Sequence, residues 1–215
     1  MIVTIDGPAG AGKSCAARGL ARRLGFRFLD TGAMYRAVTL AARERGLDLA
    51  DSEQLADLVG ELGVELADNR VLLNGRDVTD SIRKFEIAAA THYAADNPAV
   101  RAQLVQWQRA AAAGDDVVTE GRDQGTVVFP RAECKIFLTA AEEERARRRH
   151  ADLLARGEDI PFEDVLTNQR LRDYRDATRS VGALRKADDA IEVSTDGMSP
   201  DEVVDRLEEI VRSKQ

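Results

Sequence analysis

Gly7-Pro8-Ala9-Gly10-Ala11-Gly12-Lys13-Ser14 matches G-x-x-x-x-G-K-[ST] at every specified position. At background residue frequencies, a chance match in a chain of this length is on the order of one in a hundred. The setting constrains the fold further. A short β-branched run, Ile2 to Ile5, enters the loop, and helical spacing from Lys13 to Leu24 leaves it. That order of strand, glycine loop and helix lets backbone N–H groups and a helix N-terminus face an anion. Lys13 adds a mobile cation and Ser14 a hydroxyl suited to Mg²⁺. Gly7, Pro8, Ala9, Gly10, Ala11, Gly12, Lys13, Ser14 and Cys15 are therefore the candidate phosphate site.

The remaining pattern extends this start into an α/β chain. Phe26-Arg27-Phe28-Leu29 reads as a second strand stopping at Asp30-Thr31-Gly32, followed by a helix from Ala33 to Arg45 that Gly46 closes. Val117-Val118-Thr119, Lys135-Ile136-Phe137-Leu138 and Ala190 to Ser194 supply three more strands. Alternation with helices predicts a five-stranded parallel sheet in three layers, the P-loop NTPase fold. Between residues 51 and 97 the rhythm changes: a helical piece, then Val64-Glu65-Leu66 and Val71-Leu72-Leu73 around a turn at Asp68-Asn69. This reads as an insertion carrying a small hairpin. Pro98 to Ala113 is helical, as is the Arg-rich stretch Ala141 to Leu154, which breaks at Arg156 to Pro161 before a helix over Phe162 to Thr178.

Composition excludes several classes. With 215 residues, 44% hydrophobic and 32% charged, the chain can bury a core. A formal charge of −7 argues against a protein that coats nucleic acid. Two distant cysteines, Cys15 and Cys134, make neither a disulfide framework nor a zinc signature, which suits the cytoplasm. The expectation is a protein with no secretion segment, no membrane span and no nucleic-acid partner, monomeric by default. No Asn-Lys pair occurs, so the guanine-reading segment of a GTPase is missing. Arg36, Arg101, Arg122, Arg172 and Arg179 fall at or near strand ends or on helices facing the expected cleft, where guanidinium groups would allow two phosphates to approach.

Several segments together resemble the bacterial cytidylate kinase family. They are Ile5 to Ser14, Leu29-Asp30-Thr31-Gly32-Ala33-Met34-Tyr35-Arg36, Asn97 to Arg101, Glu120-Gly121-Arg122-Asp123-Gln124-Gly125-Thr126-Val127-Val128-Phe129-Pro130, and Arg172 to Arg179. The resemblance covers nearly the whole chain. It implies a nucleoside monophosphate kinase that uses ATP with Mg²⁺ and takes CMP or dCMP as acceptor. It also implies a core (1–50, 98–147, 180–215), an acceptor-binding insertion (51–97) and a lid with its stem (148–179). Thr31, Arg101 and Asp123 would lie by the cytosine, Arg36 and Arg122 would clamp the acceptor phosphate, and Asp176 with Arg179 would take the ribose hydroxyls. Arg172, with Arg148 or Arg149, would approach the transferring group beside Lys13. Asp30 is a candidate for the surroundings of Mg²⁺. A carboxylate beside a guanidinium complements the amino and carbonyl edge of cytosine and disfavours uracil. The family pattern is broken at His92, where Ser is usual, at Ala183, where Pro is usual, and at Val193-Ser194-Thr195-Asp196.

Overall fold

The computed structural model describes residues 1–67, 70–155 and 157–215. The turn expected at Asp68-Asn69 and the first residue of the expected helix break, Arg156, lie outside them. The chain divides into two compact units, Met1–Phe28 with Asp115–Gln215, and Leu29–Gly114. The expected insertion at 51–97 lies inside the second unit.

In the first unit the β-branched run becomes strand β1 (Ile2–Asp6), with Val3, Thr4, Ile5 and Asp6 all buried. Burial on both faces is what a parallel strand between helical layers requires. β2 (Arg27–Asp30), β6 (Val117–Gly121), β7 (Cys134–Thr139) and β8 (Ile191–Ser194) join it in the order β2-β6-β1-β7-β8. β1 pairs in parallel with β6 and β7, and β7 with β8. The register Asp6↔Gly121 and Asp6↔Phe137 brings the carboxyl ends of the three middle strands level. In open α/β sheets, ligands sit at such ends.

Helix α1 (Lys13–Leu24) leaves the loop and ends on Gly25, whose left-handed backbone donates back to Ala21 O. The closing helix α8 (Pro200–Arg212) starts from a capping box, the Ser199 side chain accepting from Glu202 N and the Glu202 carboxylate accepting from Ser199 N. Its buried stripe Val203, Val204, Leu207, Ile210 and Val211 packs against α1 and the sheet. Each such side chain contributes about 1.5–3 kcal/mol when fully buried. Helices α6 (Glu142–Ala155) and α7 (Phe162–Thr178) pack on each other, their ends close to those read from the sequence.

The second unit assembles α2 (Thr31–Glu44), α3 (Ser52–Gly60), α4 (Phe85–Asp96) and α5 (Pro98–Ala112) with an antiparallel sheet of β3 (Val64–Ala67), β4 (Arg70–Leu73) and β5 (Arg76–Asp77). α2 starts two residues earlier than its hydrophobic spacing suggests, because the Asp30 carboxylate caps Ala33 N. The expected hairpin is a three-stranded meander. Its second turn is Asn74-Gly75, with φ of 50° and 78° and Leu73 paired to Arg76. Two left-handed residues make the turn that matches strand twist, and Asn-Gly was the signal for it in the sequence. Asn97 accepts from Ala99 N and Val100 N to start α5, with Pro98 in its first turn.

Candidate active site

The loop between β1 and α1 owes its shape to close backbone packing. A Cβ on Gly7 would stand 1.9 Å from Leu138 O of β7, and φ at Gly7 is +152°, so only glycine lets the chain turn there. Lys13 lies buried behind the loop and its Nζ donates to Pro8 O at 2.7 Å. Burial, followed by the nearby charges of Arg122 and Arg172, pushes the Lys13 ammonium down to about 7 against the pull of Glu120 and Asp6. Ser14 Oγ donates to Glu120 Oε1 at 2.8 Å.

Asp6, the last residue of β1, receives Gln124 N–H on Oδ1 at 2.9 Å and Gly125 N–H on Oδ2 at 2.7 Å. These amides open the π-helical turn Gln124–Val128 that follows Arg122 and Asp123. The Asp6 carboxylate thus ties the phosphate loop to the segment after β6. Burial raises its pKa to about 6, assisted by the Asp123 charge and opposed by the two amides and Lys13.

The arginines of the first unit form a graded array. Arg122 Nε donates to Asp176 Oδ2 at 2.6 Å, and Arg179 Nη2 donates to Asp176 Oδ1 at 2.9 Å. Burial alone would raise Asp176 and lower Arg122. Their mutual attraction overrides both, so the carboxyl stays below its ordinary value and the guanidinium above. Arg172 is exposed, yet desolvation of its guanidinium and then the charges of Arg122 and Arg149 lower its pKa. Arg122 and Arg172 therefore act on Lys13, and Arg122 and Arg149 on Arg172. Asp123 is buried beside this group.

Arg148 does not join that group. Its Nη1 and Nη2 donate to Thr195 Oγ1 and Thr195 O, at 2.9 and 2.8 Å, and its Nε to Glu144. It lines a mainly apolar cavity of about 310 Å³ with Ala11, Gly12, Cys15, Ala16, Thr195, Met198, Pro200 and Val203. The cavity opens beside the phosphate loop, at Ala11, Gly12 and Cys15. Of the two arginines weighed at the lid stem, Arg149 is the one beside Arg172.

In the second unit Thr31 is buried at the first position of α2, and Arg36 Nη2 lies 3.4 Å from the capping carboxylate of Asp30. Arg101 is buried on α5, donates to Ala95 O at 3.1 Å and stands 5.6 Å from the centre of the Tyr35 ring. The His92 ring contacts Ala89 O and lies against Tyr93.

Sequence reasoning missed Asp6, Glu120 and Arg145. Asp6 and Glu120 stand inside quoted motifs, next to residues that were singled out. Arg145 had no signal separating it from Arg147, Arg148 and Arg149 on the same helix. Among the described residues no group of three or more His, Cys, Asp or Glu side chains could hold a metal ion by itself, and no helix is long and apolar enough to cross a membrane.

A glycine loop at the carboxyl end of a central parallel strand, with a buried lysine and clustered arginines, defines a P-loop kinase. The family model described as cytidylate kinase matches residues 3–213, and the chain belongs to that family. A cytidylate kinase of Rhodopirellula baltica is 50% identical over 212 residues, covering 99% of this chain and 93% of that protein. One of Carboxydothermus hydrogenoformans is 47% identical, covering 100% and 98%. Among solved structures, a shikimate kinase of Bacteroides thetaiotaomicron shares the fold, with a TM-score of 0.52 at 13% identity and coverage of 99% and 98%.

Proposed function

We propose that this chain transfers the γ-phosphoryl group of ATP to CMP and dCMP by direct in-line displacement. The observation that carries the reading is the position of Lys13, buried against the phosphate loop at Pro8 O and facing the charges of Arg122 and Arg172, where burial first and those charges second bring the lysine to about 7. Cations gathered in this way favour concentrated negative charge opposite them, which a triphosphate facing a second phosphate supplies.

The donor's phosphates take the backbone N–H groups of the loop from Gly7 to Cys15, which Pro8 lines without donating, and its base takes the apolar cavity beside Cys15 and Arg148. The acceptor phosphate is clamped by Arg36 and Arg122, its cytosine is read by Thr31, Arg101 and Asp123, and its ribose by Asp176 and Arg179. Lys13, Arg149 and Arg172 neutralise charge on the moving group. An ionised acceptor phosphate is already nucleophilic, so no strong general base is needed. Ser14 Oγ and Glu120, hard oxygens 2.8 Å apart beside the loop, fit Mg²⁺, which prefers a few carboxylate or hydroxyl oxygens plus phosphate and water. Mg²⁺ bound there would neutralise the donor's phosphate oxygens. A lid and stem over 148–179 and an insertion over 51–97 close on the nucleotides and exclude water. We also read the chain as a monomer and as cytoplasmic, the free Cys15 and Cys134 thiols being compatible with a reducing compartment.

Coupled ADP release with a panel of acceptors tests this. CMP and dCMP should drive turnover, UMP less, and AMP, shikimate and water little. Equal rates with and without an acceptor would refute phosphoryl transfer, leaving a protein that binds or hydrolyses ATP.

A further inference from the structure

Arg145 lies in the first turns of α6, only 6% exposed, among arginines that mostly face solvent. Its guanidinium makes three hydrogen bonds to protein oxygens. Nε donates to Ala140 O at 3.0 Å, and Nη1 donates to Ala9 O at 2.8 Å and to Asp173 Oδ2 on α7 at 2.6 Å. Ala9 and Gly10 form the crest of the phosphate loop. A Cβ on Gly10 would stand 3.0 Å from Arg145 Cβ and 3.4 Å from Gln169 Oε1, and Gln169 in turn donates to Glu142 O.

The bond to Ala9 O has a consequence for the neighbouring amide. The peptide unit joining Ala9 to Gly10 is trans and planar, so its C=O and its N–H point to opposite sides. Fixing the carbonyl towards α6 directs the Gly10 N–H the other way, away from the helix that backs the loop. Gly10 has φ of +79° and no Cβ, so without a partner for that carbonyl the peptide plane could flip at small cost. A flipped plane would turn a carbonyl dipole, in place of an N–H, towards an arriving phosphate. The Asp173 carboxylate holds the guanidinium from α7, the helix that also carries Arg172 and Asp176, and its charge bears on both Arg172 and Arg122.

We propose that Arg145 is a positioning residue that locks the Ala9–Gly10 peptide plane for phosphate binding and couples the loop to α7 through Asp173. It touches no substrate and acts through the loop amides. The inference rests on the reading that this loop holds the donor's phosphates.

The test compares wild type, Arg145→Met, Arg145→Lys and Asp173→Asn by ADP calorimetry, by KM for ATP and for CMP, and by amide exchange at Gly10. Arg145→Met should weaken ADP about 10- to 100-fold, the worth of one charged hydrogen bond, while KM for CMP moves less than about threefold. Arg145→Lys should fall between, since an ammonium cannot serve all three acceptors at once. Asp173→Asn keeps an acceptor without its charge and should be the mildest. Gly10 exchange should quicken in the same order. A folded Arg145→Met that binds ADP as wild type does, or that loses ATP and CMP equally, overturns the proposal. Should Arg145→Met fail to fold, Arg145→Lys and Asp173→Asn decide, and wild-type ADP affinity in both overturns it. A wild type that binds ADP but fails to phosphorylate CMP would defeat the functional reading alone and leave the Arg145 comparison intact.

Discussion

Nucleotide binding should draw a proton into this protein at alkaline pH, because the Lys13 amine loses its charge when no anion stands opposite it. With its pKa at about 7 in the ligand-free chain, roughly nine-tenths of the Lys13 side chains are neutral at pH 8. A phosphate charge about 4 Å away is worth about 4 kcal/mol at an effective dielectric of about 20. That corresponds to a rise of about three pKa units and returns the amine to its ordinary range. ADP binding at pH 8 should therefore take up about 0.9 proton. Asp6, at about 6, is already ionised there and contributes almost nothing. The nucleotide's own phosphate, with a second pKa near 6, contributes little as well. Titrating ADP by calorimetry at pH 8 in two buffers of different ionisation enthalpy measures the uptake as the slope of observed against buffer enthalpy. Lys13→Met should abolish it. Identical enthalpies in both buffers would mean that Lys13 is charged before the ligand arrives, and the argument from cation crowding would fail.

Further outcomes concern the phosphate loop and the helix that leaves it. The folded chain holds the Asp6 proton more tightly than the unfolded chain, so the stabilisation from that carboxyl is complete below pH 3.8 and is lost as pH rises through about 6. The urea stability of wild type relative to Asp6→Asn should therefore fall by up to about 3 kcal/mol between pH 4 and pH 7, and a flat difference would contradict the burial argument. Gly7→Ala should prevent stable folding, since its Cβ would meet Leu138 O at 1.9 Å, whereas Gly25→Ala, with φ of +70° and open space around it, should cost only about 1–2 kcal/mol by urea denaturation.

What could be read from residues alone was local in origin. The β-branched run before Gly7, the glycines of the loop and Pro98 opening α5 act within a few residues of themselves. Their consequences therefore stand in the chain's order. Asn74-Gly75 is of the same kind, a second turn beyond the one expected at Asp68-Asn69. The resemblance to cytidylate kinases worked likewise, as contiguous runs such as Asp30 to Arg36 and Gly121 to Phe129.

Other assignments depended on partners far away in the chain. Arg145, Arg147, Arg148 and Arg149 share one helix and one chemistry, so nothing local distinguishes them. The packing of α6 against α7 and the loop turns Arg145 to Ala9 and Asp173, sends Arg148 to Thr195, sets Arg149 beside Arg172 and leaves Arg147 on neighbouring glutamates. Asp6 meets amides more than a hundred positions away, and its raised pKa comes from burial that its own neighbours do not encode. Sequence order sets the backbone's turns, caps and strands because those forces reach about one helical turn. Charge, desolvation and the orientation of a guanidinium depend on what surrounds them in space, and only the folded chain determines that.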